Sequence, residues 1–269
     1  MPHAAGLWYE WHGPEDAEVL ILSSGLGGSA TYWQPNLAAF AERYRVLLYD
    51  HRGTGRSDRS LPSRITVEHF ADDILSLMDA LGIAKAHLVG HAAGGVAGLA
   101  LAIKVPERLD RLVVVNGWAS PDPHFLRCFE ARLALLRHVG IDAYLRAQPI
   151  FLYPATWSSV RTAELDADLA HQRADFPGIE TVEKRVAALA SFDARGKLGG
   201  LMDRVLVLVA DDDNLVPYHA GELLCGELGG AWLENLSWGG HACNVTRPDA
   251  FNRPVLAWLA GDYPGEEQE

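Results

Sequence analysis

Ala86-His87-Leu88-Val89-Gly90-His91-Ala92-Ala93-Gly94 is the stretch that decides how this chain is read. A short apolar run ends at Gly90 and a second glycine follows at Gly94. This is the frame of a sharp strand-to-helix turn that lifts its central residue above the end of a strand. In turns of the form G-x-S-x-G that residue is a nucleophilic serine. Here it is Ala92, so the turn is present and its attacking hydroxyl is not.

Outward from this turn, apolar runs alternate with helical patterns: Val19–Ser23, Arg45–Tyr49, His87–Gly90, Leu112–Asn116 and Val205–Val209. Runs that are apolar on both faces predict a mostly parallel, doubly wound sheet covered by helices, an α/β fold. Thr66 is the expected cap of a helix through about Ala80, with Gly82 as its stop, and the helix after Gly94 must end before Pro106. From Trp118 to about Gly200 the rhythm lapses. Amphipathic pieces such as Phe125–Val139 and Val182–Ala190 are interrupted by Pro149, Pro154 and Pro177. That predicts a helical lid, residues 118–200, inserted after the sixth strand into one discontinuous core of residues 1–117 and 201–262. Helices near His219–Leu228 and Asp249–Leu259 complete the core, and residues 263–269 read as a flexible acidic tail.

With 269 residues, 49% of them hydrophobic, the chain can bury one large core. Its 35 acidic against 23 basic side chains give a net charge of −12, which repels nucleic acid and anionic membrane surfaces and leaves small molecules as the expected partners. No signal-like start and no apolar run long enough to span a bilayer is found, so a cytoplasmic protein is expected. Cys128, Cys225 and Cys243 show no C-x-x-C spacing, and reduced thiols with no metal site are expected.

Two further segments carry chemistry. Asp211-Asp212-Asp213 follows the run at 205–209, where an open α/β sheet places its ligand crevice. Side-chain alternation lets one or two of the three face it, and Asp213 is the candidate, with Asp211 and Asp212 left to a solvated turn. Ser237-Trp238-Gly239-Gly240-His241 puts a histidine on a glycine-rich loop free to swing over the sheet edge. His91, inside the turn, is expected to pack. After the first buried strand, Ser23-Ser24-Gly25-Leu26-Gly27-Gly28-Ser29 offers backbone N–H groups to an anion, and by position Leu26 and Ala93 would supply the two amides, with Gly25 beside them. The same loop imitates a dinucleotide fingerprint, Gly25-x-Gly27-x-x-Ala30 followed by Asp50. Tyr32-Trp33 crowd the place of a pyrophosphate, however, and no cofactor is expected.

Taken together, Gly25-Leu26-Gly27-Gly28, Asp50-x-Arg52-Gly53-x-Gly55-x-Ser57, Gly90–Gly94, Asp213-x-x-x-Pro217 and Gly240-His241 resemble the α/β-hydrolase superfamily over the whole chain, in the order turn, acid, histidine. The early part looks like the enol-lactone hydrolase and esterase branch. Ala92 in the turn, Val115-Asn116-Gly117-Trp118, Arg127-Cys128-Phe129, the stretch Gln148–Trp157 and Gly239–Thr246 resemble the RutD family of the pyrimidine-utilisation (uracil degradation) pathway. That resemblance implies a hydrolase of nitrogen metabolism that lacks the serine as a trait of its group. Its substrate would be carbamate, broken to ammonia and carbon dioxide by His241 and Asp213 acting as general acid and base. The alternatives are aminoacrylate hydrolysis, or a non-catalytic scaffold that binds a small acid. Cys243 lies on the wrong loop to replace the serine. Arg127 and Arg132 in the lid are candidates to pair with substrate charge, against the usual solvated role of such arginines, and a lid-mediated homodimer is a plausible assembly.

Overall fold

The computed structural model describes residues 2–262, so the acidic stretch at 263–269 lies outside the described residues. Eight strands form one sheet: β1 (His3–Ala4), β2 (Leu7–His12), β3 (Val19–Ser23), β4 (Arg45–Tyr49), β5 (Ala86–His91), β6 (Leu109–Val115), β7 (Val205–Ala210) and β8 (Trp232–Leu236), in the order β1-β2-β4-β3-β5-β6-β7-β8. From β4 to β8 every neighbouring pair is parallel, while β1 and β2 add an antiparallel edge. That edge has no counterpart in the sequence reading. Leu7–His12 mixes aromatic with charged residues, and only pairing with β4 makes it a strand.

The apolar alternation runs to both faces. Ile21, Leu88, Val114 and Val207 join one core, with α2 (Val67–Ala80) and α3 (Ala93–Lys104). Leu20, Val89, Val113 and Leu206 join the other, with Phe40 of α1 (Gln34–Ala41) and Phe251 from the C-terminal helix. Thr66 caps α2 through a capping box with His69, and Gly82 beyond its end adopts φ +68°. α3 ends at Lys104, ahead of Pro106.

Between β6 and β7 run five helices: α4 (Pro123–His138), α5 (Ile141–Leu152), α6 (Ala155–Val160), α7 (Thr162–Ala174) and α8 (Ile179–Ala190). Pro149 does not interrupt the chain as expected, because it sits inside α5. It is three residues from that helix's end at Leu152, and Pro154 follows as the residue before α6. After β7 come α9 (Tyr218–Glu227), α10 (Cys243–Thr246) and α11 (Pro248–Ala260). β3 has β4 on one side and β5 on the other, so chain direction across the sheet reverses there. The loops after β3 and β5 therefore flank the switch-point crevice of the sheet.

Candidate active site

Ala92 closes the β5 to α3 turn at φ 47° and ψ −104°, a conformation that costs a side-chain-bearing residue about 1–3 kcal/mol. Close packing on both sides imposes it. A Cβ on Gly90 would stand 2.4 Å from the Gly94 carbonyl, and one on Gly94 would stand 2.2 Å from the Ser23 oxygen. The Ala92 N–H is held by the Val115 carbonyl at 2.8 Å. The strained turn thus persists without a nucleophile, and it leaves Ala93 as the first residue of α3, its N–H without an acceptor in the helix. Across the crevice, the Leu26 N–H has no backbone partner among the described residues. Gly25, Leu26, Ala92, Ala93 and His241 all line one cavity of about 480 Å³, roofed by residues of α4, α5, α7 and α8.

On the other side of the cavity, His241 Nδ1 lies 2.7 Å from Asp213 Oδ2, with both residues buried. The second oxygen of Asp213 accepts the N–H groups of Leu215 at 2.7 Å and Val216 at 2.9 Å, which fixes the carboxylate. A carboxylate accepts, so Nδ1 carries the proton and Nε2 is the nitrogen left to work in the cavity. The loop carrying His241 is clamped from beneath. Asn116 and His91 both donate to the His241 carbonyl, at 2.7 and 2.8 Å, while Asn116 Oδ1 accepts the Ala210 N–H at the end of β7. Gly240, at φ +67°, lies so close to Pro154 that a Cβ would fall 2.9 Å from its ring.

Asp212 is not a bystander of a solvated turn. Its Oδ1 accepts the N–H groups of Gly239 and Gly240, each at 2.8 Å, so it tethers the histidine loop to the end of β7. Asp211 remains exposed. His91 packs, with Nε2 spent on the loop carbonyl and its ring edge against His241 at 4.6 Å between centroids. Burial, reinforced by the neighbouring His241, holds its imidazole well below the usual range, so it stays neutral.

Sequence reading missed Arg185 altogether. This fully buried residue of α8 donates to the carbonyls of Leu26 at 3.0 Å, Arg52 at 3.4 Å and Gly25 at 3.5 Å, and to His51 Nδ1 at 2.9 Å. It orients the loop that presents the Leu26 amide, across 159 residues of chain that no local pattern spans. Burial lowers it to about 10, where it still carries its charge at neutral pH. Because Arg185 only donates, His51 must accept at Nδ1 and give its Nε2 proton to Ser23, at 3.2 Å. Arg127 is exposed, whereas Arg132 is buried in the cavity wall, contrary to the solvated role that lid arginines usually have.

The rival readings of the loops find other occupants. Asp50 is buried and accepts from the Ala30 N–H at 2.8 Å and from Arg56 Nε at 2.7 Å, so it is committed to the turn and offers nothing to a ribose. Glu18, His87 and Asp110 bring possible metal-ligand atoms within 4.8 Å of one another. They stand at the amino ends of the strands, away from the cavity, and Asp110 is already paired with Lys85. Among the described residues no helix is long and apolar enough to cross a membrane.

Cys243 is fully buried under the histidine loop, and burial, followed by the nearby Asp213 charge, pushes its thiol up to about 12. A raised value means that thiolate appears only as pH approaches that level, so at neutral and mildly alkaline pH the group is an inert thiol. Iodoacetamide applied to the native protein is therefore expected to leave Cys243 unmodified by peptide mapping and activity unchanged. Native labelling that removes activity would contradict this.

Known proteins are similar to this chain over nearly its whole length. Residues 18–140 match the family described as alpha/beta hydrolase fold. A protein of Caulobacter vibrioides named "Putative carbamate hydrolase RutD" is 52% identical over 258 residues, covering 95% of this chain and 96% of that one. Its namesake in Agrobacterium fabrum is 45% identical over 253 residues, covering 93% and 97%. Among solved structures, the enol-lactonase of Burkholderia xenovorans superposes with a TM-score of 0.83 at 27% identity, over 96% of this chain and 98% of that one.

Proposed function

The chain belongs to the α/β-hydrolase family, in its RutD branch, and from that premise we propose that it accelerates the breakdown of carbamate by proton transfer, with no covalent intermediate. The supporting observation is the pairing of His241 with Asp213 at 2.7 Å beside a turn whose nucleophile position is filled by Ala92. A pair that moves protons is kept where a group that attacks carbon is missing.

Carbamate needs no attack on carbon. The imidazolium of His241, stabilised by Asp213, gives its proton to the carbamate nitrogen. The carbon–nitrogen bond then breaks with its electron pair leaving on nitrogen, and ammonia and carbon dioxide are released. His241, now neutral, regains a proton from solvent. The Leu26 and Ala93 amides hold the carboxylate during the transfer. General acid catalysis contributes roughly 10² to 10⁴-fold, enough for a molecule that already decays unaided and too little for an ordinary amide. The pyrimidine-utilisation context implied by the sequence resemblance supports chemistry that ends in ammonia.

The cavity of about 480 Å³ has room for a substrate larger than carbamate, and the same residues suit a second reading. The dyad would activate a water held beside Ala92 for attack on the imine form of aminoacrylate, again releasing ammonia. Timed ammonia release from freshly prepared carbamate and from aminoacrylate, with and without protein, tests both. Acceleration with either assigns the substrate. Ligand-induced stabilisation without product would leave only a binding scaffold and overturn the catalytic reading.

A further inference from the structure

Arg132 is the cation of this cavity whose charge the protein does not answer. It extends from α4 into the wall of the cavity and is only 4% exposed, yet no carboxylate lies within ion-pair distance among the described residues. Its protein partners are neutral: one terminal nitrogen donates to Gln148 Oε1 at 2.5 Å and to the Tyr144 hydroxyl at 3.5 Å. Its Nε is buried with no partner at all. Phe129, Tyr144 and Phe151 surround the guanidinium at 5.3, 5.7 and 5.6 Å from their centroids.

The other two cavity arginines are already engaged. Arg185 spends its donors on Gly25, Leu26, Arg52 and His51, and Arg146 is largely exposed and pairs with Asp166. Ser24 Oγ and Trp118 Nε1, both on cavity-lining residues and both able to donate, are likewise buried without partners. A buried guanidinium whose charge no protein carboxylate answers, lining a cavity, suits an anionic group such as a carboxylate.

We propose that Arg132 is a carboxylate-recognition residue, holding the acid group of a substrate longer than carbamate. The acid group would sit on Arg132 and the nitrogen-bearing carbon would face His241. Carbamate, with its single carboxylate on the Leu26 and Ala93 amides, fills one end of the cavity; a longer acid fills both. This rests on the proton-transfer reading of the dyad for its catalytic meaning, but the binding itself does not.

The test is calorimetric binding of propionate, an unreactive three-carbon acid, and of propionamide, its neutral counterpart, to the full chain. Propionate is expected to bind and propionamide not to. Arg132→Met should weaken propionate at least 30-fold, and Arg132→Lys, which keeps the charge, should weaken it less. Should Arg132→Met fail to fold, phenylglyoxal modification of the unaltered protein decides, since propionate must protect Arg132 from it. Equal binding to Arg132→Met, equal binding of acid and amide, or no protection would overturn the proposal. None of these readouts uses ammonia, so their failure leaves the dyad chemistry standing. Absence of ammonia acceleration, conversely, would remove that chemistry and leave the carboxylate site.

Discussion

His241→Ala is expected to return ammonia release from carbamate to the rate of buffer alone, a loss of about 10² to 10⁴-fold. The size follows from what remains. Without the imidazole the cavity keeps the Leu26 and Ala93 amides, which hold a carboxylate equally well before and after proton transfer and so contribute binding more than rate. Asp213 cannot substitute. Its carboxylate does not line the cavity, and one of its oxygens is tied to the Leu215 and Val216 amides. His241→Gln, which keeps the side chain's bulk and a hydrogen bond to Asp213, should be as inactive, so that loss in both variants marks loss of the proton rather than of packing. Undiminished acceleration in either would mean that the dyad is not the proton source.

Ala92→Ser is expected to create an activity that the native chain lacks. The turn already holds residue 92 at φ 47°, the frame of Gly90 and Gly94 already forces that angle, and His241, paired with Asp213 behind it, already lines the same cavity. A serine there would find its base and its oxyanion donors in place, so hydrolysis of p-nitrophenyl acetate should rise by on the order of 10² to 10³-fold above that of the native protein, with an initial burst of acylation. Ammonia release from carbamate should gain nothing, because that reaction does not pass through an acyl intermediate. A variant that folds and shows no esterase activity would imply that residues 92 and 241 do not face one another productively.

The fold was legible because its signals are local. Strands apolar on both faces, the glycine frame around Ala92, the cap at Thr66 and the stop at Gly82 each lie within a few residues of what they determine. Asp213 and His241 were legible for a different reason: open α/β sheets restrict ligand-facing residues to the carboxyl ends of strands, and each occupies such a place. What escaped was long-range. Arg185 reaches the Leu26 loop from α8, and Asn116 and His91 hold a carbonyl 125 and 150 residues away. Asp212 was set aside as solvated because its partners are backbone amides, which no side-chain pattern announces. Pro149 misled because the burial of Tyr144 and Leu145 in the core holds α5 in place despite the hydrogen bond that a proline inside a helix forfeits. The burial of Arg132 depends on three aromatic rings from α4 and α5 that meet only once the helices pack.

The central claim is that protons, and not a covalent intermediate, carry the reaction. The most direct measurement is the intact mass of the native protein, acid-quenched during steady turnover of carbamate while ammonia release is followed in the same sample. Accelerated release from a chain of unchanged mass is the predicted result. A carbamoylated chain that accumulates and decays in step with product would contradict it.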